Sequence, residues 1–438
     1  MVVLKGVNYN DPPIRYRGER IIALLRKLLP EPVKTPDYLD TNFAITVYYS
    51  LFLPYPILRK PNTSDKKTLL HYLVASKMLA SSRLSEIKKH TIADTTTSMV
   101  ASAISLEALA QEMNKMPHHQ GGDASTQSKA GPESSNSQEV MDIERSVEKA
   151  LESTKEVARQ AKEIANLAMR FAAGSTSVLT LDDVIKDVIN LARNTDVHML
   201  LEALKTIESS EAYIKSKKIQ SPRGELDGYE LGSDIERVTA SELALPYELF
   251  LVKFAERNLL LYRKVVNEDY GKFYVLLDKS GSMMGMKIIW AKAVALALAQ
   301  RAVRERREFY LRFFDSIPYP PFYISKRIHG RDVVKLLEYI AKIRANGGTD
   351  ITRAILTAVS DIMSRPATTK VSDIILITDG EDRVAIDTVR RALARANARL
   401  HTVMIYGNNP DLRALSESYM VATKLDREEA LKVMMAGS

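Results

Sequence analysis

From Lys272 onward the sequence changes its hydrophobic period, and this change restricts the fold more than any other feature. FYVLLD (Phe273–Asp278), EFYLRFFD (Glu308–Asp315), DIILITD (Asp373–Asp379) and LHTVMIYG (Leu400–Gly407) are short runs rich in β-branched and aromatic residues. Helical patterns separate them: KIIWAKAVALALAQRAV, RDVVKLLEYIAKI, DITRAILTAVSDIM and AIDTVRRALARANA. Parallel strands need crossover connections, and the helices in those crossovers cover both faces of the sheet, so the strands become apolar along most of their length. Residues 269–438 are therefore expected to form an α/β domain with a doubly wound, mostly parallel sheet of Rossmann-like type.

The upstream sequence follows a different period. Residues 1–116 carry amphipathic helical stretches (ERIIALLRKLL, KKTLLHYLVASKMLASSRL, SMVASAISLEALAQEM) and are expected to be helical. The uncharged run Thr41–Leu58 reaches the lower limit of a bilayer span. Pro54, Pro56 and several tyrosines instead make it a buried helix that ends in a Pro-bounded turn. Residues 117–139 are rich in Gly, Ser and Gln and poor in large apolar residues, the composition of a flexible linker. Residues 140–268 are expected to form a second helical region. Val147, Ala150, Thr154, Val157, Ala161, Ile164, Ala168 and Phe171 follow a three–four spacing that forms a seam for a neighbouring helix. Gly174 sits where that helix should stop, and Thr180 with Asp183 reads as the N-cap of the next. Lys215–Ser233 reads as a polar loop before a last helix that carries ELFLVKFAERNLLLYR.

In an open α/β sheet the functional residues gather at the carboxyl ends of the strands. The first strand runs into Asp278-Lys279-Ser280-Gly281-Ser282, the pattern D-x-S-x-S. A later loop reads Asn346-Gly347-Gly348-Thr349-Asp350 before a helix, and another strand ends Thr378-Asp379-Gly380. Taken alone, D-x-S-x-S is equally a strand-end turn with capping serines. Together, the hydroxyls of Ser280, Ser282 and Thr349 and the carboxylates of Asp278 and Asp379 form a hard, all-oxygen set suited to Mg²⁺ or Mn²⁺. Mostly neutral ligands would leave the ion electrophilic, with a coordination position that an acidic side chain of another molecule could fill.

These three elements, in this order and without departure from the motif, resemble the metal-ion-dependent adhesion site of von Willebrand factor A domains. The resemblance implies that Ser280, Ser282 and Thr349 coordinate the ion directly, while Asp278 and Asp379 act through water or by anchoring the loops. More loosely, Asp234–Arg237, Ser241–Ala244 and Phe250–Tyr262 resemble the segment before the A domain in proteins of the CoxE and ViaA type. Those proteins work with AAA+ ATPases of the MoxR family. The implied function is a non-enzymatic, metal-dependent adaptor that docks an acidic residue of a MoxR-type ATPase in the remodelling or maturation of other proteins. Two alternatives stand beside it: a stand-alone adhesion or scaffold module, and a metal-dependent phosphohydrolase with Asp278 as nucleophile.

Other features narrow the choice. With no cysteines there can be no disulfide, thiolate ligand or thiol nucleophile. MVVLKGVNYNDPP lacks a secretory pattern, so a cytoplasmic location is expected. The net charge of +8 is spread over 438 residues. Arg301, Arg304, Arg306 and Arg307, and likewise Arg391, Arg395 and Arg399, read as helix-end and solvated charges without interleaved aromatics, so no nucleic-acid partner is expected. His71, His118, His119, His329 and His401 receive no catalytic role, and Trp290 reads as packing. No phosphate-cradling G-x-x-x-x-G-K-[ST] motif and no G-x-S-x-G is present.

Overall fold

A computed structural model describes residues 3–29, 36, 38–61, 65–115, 132–171, 184–208, 218–267, 271–325, 329–364 and 371–435, with backbone alone at 132–139, 218–227 and 264–267. The chain divides into two compact units, residues 1–202 with 327–343, and residues 203–326 with 344–438.

The first unit contains α1 (Pro12–Leu28), α2 (Thr41–Phe52), α3 (Lys66–Ala80), α4 (Ser82–Thr91), α5 (Thr95–Asn114), α6 (Pro132–Phe171), α7 (Ile185–Ala192) and most of α8 (Thr195–Glu208). Asp40, Asp65 and Asp94 cap α2, α3 and α5 by accepting backbone N–H groups of the first turn, which helix geometry leaves without partners. Ser81 ends α3 and its hydroxyl caps α4, so KKTLLHYLVASKMLASSRL is two helices. The Thr41–Leu58 run does form a buried helix, α2. Along α6 the expected seam is buried at every position except Val157, which is half-buried. This helix packs on α5, and Ser105 Oγ and Thr154 Oγ1 meet at 3.0 Å inside the contact. Because α6 begins at Pro132, the end of the expected linker (132–139) is helical: polar residues can extend a helix whose later turns are held by packing. Residues 117–131, Gly174, Thr180 and Asp183 lie outside the described residues. Among those described, no helix is long and apolar enough to cross a membrane.

The second unit opens with an antiparallel ribbon that sequence reading missed. β1 (Lys218–Gly232) pairs with β2 (Leu259–Asn267), with Tyr229 opposite Tyr262 and Leu231 opposite Leu260. Between them lie α9 (Ala240–Leu243) and α10 (Tyr247–Ala255). The expectation of a helical region over 140–268 is thus corrected: the expected polar loop Lys215–Ser233 is largely strand, and ELFLVKFAERNLLLYR, expected as one helix, is a helix and then a strand. Arg257, at φ +59°, breaks the helix. Tyr229 and Leu231 are exposed. A ribbon with exposed residues lacks a clean apolar alternation, and its pairing depends on residues distant in sequence.

The principal sheet contains β3 (Phe273–Asp278), β4 (Phe309–Phe314), β5 (Phe322–Ile324), β6 (Ser372–Thr378), β7 (Ala398–Ile405) and β8 (Ser418–Ala422), in the order β5-β4-β3-β6-β7-β8. All neighbours are parallel except β4 and β5. The two edge strands, β5 and β8, are short or half-exposed and gave no sequence signal. The connecting helices are α11 (Met286–Arg304), α12 (Gly330–Lys342), α13 (Ile351–Met363), α14 (Ile386–Arg395) and α15 (Pro410–Leu415), and α16 (Arg427–Met435) follows the last strand. One face of the sheet packs a continuous core that includes Tyr274, Leu276, Ile374, Leu376, Ile355 and Val389.

Two expectations about this region are corrected. Helix α12 groups with the first unit, where it packs on α6 and α7, rather than with the sheet. Its apolar pattern specifies a buried face, Val333, Leu336, Leu337 and Ile340 among others, but not the partner for that face. Arg301 and Arg307 are buried rather than solvated. Arg307 donates to the carbonyls of Gly271 (3.0 Å) and Lys272 (3.3 Å) and to Asp373 (2.5 Å), and lies over the Phe273 ring.

Candidate metal centre

The chain leaves β3 for β4 on one side, whereas β6 pairs with β3 on the other, so the strand order reverses at β3 and opens a crevice at the carboxyl ends of β3 and β6. Asp278 is the last residue of β3, and Asp379 directly follows β6. Asp278 is wholly buried. Its Oδ1 accepts the Ser280 N–H at 2.8 Å and its Oδ2 accepts the Thr378 hydroxyl at 2.5 Å. Burial pushes the Asp278 carboxyl up from its ordinary range, partly offset by those hydrogen bonds. The turn then brings Ser280 Oγ to 3.1 Å from Ser282 Oγ, and the Ser282 hydroxyl donates to Asp379 Oδ1 at 2.7 Å. Thr349 lies alongside: a methyl placed on Gly380 would meet Thr349 Cγ2 at 3.0 Å and Asp278 Oδ2 at 3.6 Å. All five residues singled out from the sequence therefore converge.

The loop that carries Thr349 is braced from β3 and β4. Asn346 N–H donates to the Lys279 carbonyl (2.7 Å), Gly281 N–H to the Gly347 carbonyl (3.0 Å) and Asp350 N–H to the Asp315 carbonyl (3.1 Å). Lys279 is buried and pairs with Asp315 Oδ2 at 2.7 Å, over the Tyr319 ring. Burial opposes ionisation of Asp315, but the bonds from Lys279, the Ile317 N–H and the Tyr319 hydroxyl, with the Lys279 charge, together outweigh it and hold that carboxyl below its usual value. Gly347 adopts φ +97°, and a Cβ there would come within 2.8 Å of Asp315 Oδ2, so both backbone and space require glycine.

Sequence reasoning missed four contributors. Thr378 holds Asp278, and its place just before Asp379 was the only available hint. Lys279 and Asp315 brace the loop. Lys287, on the first turn of α11, reaches Asp379 Oδ2 at 2.6 Å and the Ser282 carbonyl at 3.1 Å, and nothing in the sequence spacing foretold it. The donor set fits a small, hard divalent cation: hydroxyls with two carboxylates, gathered by rigid strand ends. Among the described residues no cluster of three or more His, Cys, Asp or Glu forms a softer or more acidic alternative.

Residues 272–419, which hold the mostly parallel sheet with D-x-S-x-S, G-G-T-D and T-D-G at its strand ends, match the von Willebrand factor type A domain family. An uncharacterized protein of Methanocaldococcus jannaschii is 28% identical over 272 residues, which cover 59% of this chain and 61% of that protein. A second uncharacterized protein of the same organism is 27% identical over 227 residues, 49% of this chain and 56% of that protein. The matches thus span less than two thirds of either relative. A solved von Willebrand factor type A structure from Catenulispora acidiphila is 19% identical, covering 39% of this chain and 43% of that one, with a TM-score of 0.31.

Proposed function

We propose that the C-terminal domain is a metal-dependent protein-docking module rather than an enzyme. The observation that carries this reading is the convergence of Asp278, Ser280, Ser282, Thr349 and Asp379 at one strand-end crevice. Ser280, Ser282 and Thr349 would hold Mg²⁺ or Mn²⁺ directly, with Asp278 and Asp379 behind them. When bound, the ion supplies a Lewis-acid position able to take a carboxylate oxygen from a partner. The chain's own residues bring the Ser280 and Ser282 hydroxyls together beside Asp379 and brace the loop that carries Thr349.

The phosphohydrolase alternative is disfavoured by the state of Asp278. A nucleophilic carboxylate needs an accessible lone pair, yet this one is fully buried and both its oxygens already accept hydrogen bonds. His401 lies mid-strand in β7, in register with Ile375, and its ring nitrogen faces Asp373 near the start of β6 rather than the carboxyl end that carries Asp379, so it supplies no base to the crevice.

The partner proposed from the pre-domain resemblance is a MoxR-type AAA+ ATPase in the cytoplasm, with an Asp or Glu as the shared ligand. An ATPase assay with and without this protein, with chelator and with Thr349→Ala, tests the reading. A Mg²⁺-dependent change in rate that Thr349→Ala abolishes is expected. An identical effect of the variant would move the interface away from the crevice, and phosphatase turnover by the protein alone, lost in Asp278→Asn, would favour the enzyme.

A further inference from the structure

The ion pair between Lys287 and Asp379 is not required by a metal-docking site, and it sits inside one. Three groups hold the Lys287 ammonium: Asp379 Oδ2 at 2.6 Å, the Ser282 carbonyl at 3.1 Å and the Tyr406 ring, whose centroid is 5.5 Å away. The Asp379 side chain is 3% exposed and that of Lys287 27%, so this is a partly desolvated pair and not a loose surface contact. Both Asp379 oxygens are committed, Oδ1 to the Ser282 hydroxyl and Oδ2 to the ammonium. Nearby, Lys279 and Asp315 neutralise each other. Within the five residues proposed to hold the ion, the two carboxylates, Asp278 and Asp379, are thus offset by one ammonium.

From this charge arrangement we infer that Lys287 is a built-in counter-cation that weakens metal binding on its own and couples it to the arrival of an acidic ligand. The inference rests on the proposed metal reading. With Lys287 in place, a divalent cation gives the cluster a surplus positive charge, which an incoming carboxylate cancels. Without Lys287 the same cation neutralises the two carboxylates by itself, and the demand for an anion disappears. The lysine thus makes metal and carboxylate mutually dependent, so that the site favours the ternary state over either partial one.

The test uses the full chain, with Mn²⁺ titrated by calorimetry and by the loss of its free-ion electron paramagnetic resonance signal, with and without acetate as the carboxylate probe. Lys287→Met should bind Mn²⁺ roughly tenfold more tightly than the parent, the scale of a nearby like charge at surface screening, and should gain less from acetate. Lys287→Arg keeps the charge and should retain the weak, acetate-enhanced binding. The melting temperature of each variant checks the fold, which a half-exposed first-turn side chain should leave intact. Equal or weaker Mn²⁺ binding by Lys287→Met, with the parent binding measurably, overturns the inference and leaves the metal reading standing. An Arg variant that behaves like Met would assign the effect to packing and likewise overturn it. Absence of Mn²⁺ binding in the parent and in both variants would remove the metal reading itself, and this inference with it.

Discussion

Replacing Asp278 in two ways separates its structural from its metal-directed role. The wholly buried carboxylate accepts the Ser280 N–H and the Thr378 hydroxyl. Asp278→Ala removes a charged acceptor from two donors, worth roughly 1.5–3 kcal/mol each, while relieving the cost of burying the charge. The net loss should be about 2–4 kcal/mol, a fall of roughly 5–15 °C in the melting of the sheet unit. Asp278→Asn should be milder, about 1 kcal/mol, because its carbonyl still accepts from Ser280 and its amide can donate to Thr378 Oγ1, whose proton is free to turn elsewhere. Both variants should lose Mn²⁺ binding. Melting curves followed by circular dichroism, paired with calorimetric Mn²⁺ titration, give the two readouts on the same samples. Asn variant binding of Mn²⁺ at parental affinity would refute the ligand-set argument, and an Ala variant as stable as the parent would refute the hydrogen-bond argument.

Three further outcomes are expected. Arg307→Met should destabilise the protein by about 3–5 kcal/mol in urea unfolding, since it strands the buried Asp373 carboxylate, and adding Asp373→Asn should recover part of the loss. For Asp373 burial raises the pKa, but the hydrogen bonds and charges of His401 and Arg307 together outweigh it and hold the folded value below the ordinary 3.8. Its stabilising contribution is therefore present above the unfolded pKa and lost as pH falls through the folded one, so Asp373→Asn should flatten the fall in urea midpoint between roughly pH 5 and pH 2. Gly347→Ala should cost about 1–3 kcal/mol through strain at φ +97° and contact with Asp315, and should weaken Mn²⁺ binding by displacing the Thr349 loop, as calorimetry would register.

The sequence by itself determined what rests on local pattern. Strands β3, β4, β6 and β7 fall within a residue or two of their apolar runs, because a strand buried on both faces cannot hide its composition. The α6 seam was legible at 3.6-residue spacing for the same reason. The five oxygen donors were legible because each sits in a short turn at a strand end, where local spacing and sheet topology act together. Tertiary structure alone decided the rest. The β1–β2 ribbon pairs segments separated by two helices, so its register is written in neither strand alone. The α12 pattern demanded a buried face and was silent on which unit supplies it. Asp315 and Lys287 reach the crevice from β4 and α11 through the packing of the sheet, and their charge matters only because that packing brings them within hydrogen-bond distance of groups far away in sequence. Periodicity encodes what a residue needs from its surroundings, and only the assembled fold determines which distant side chain provides it.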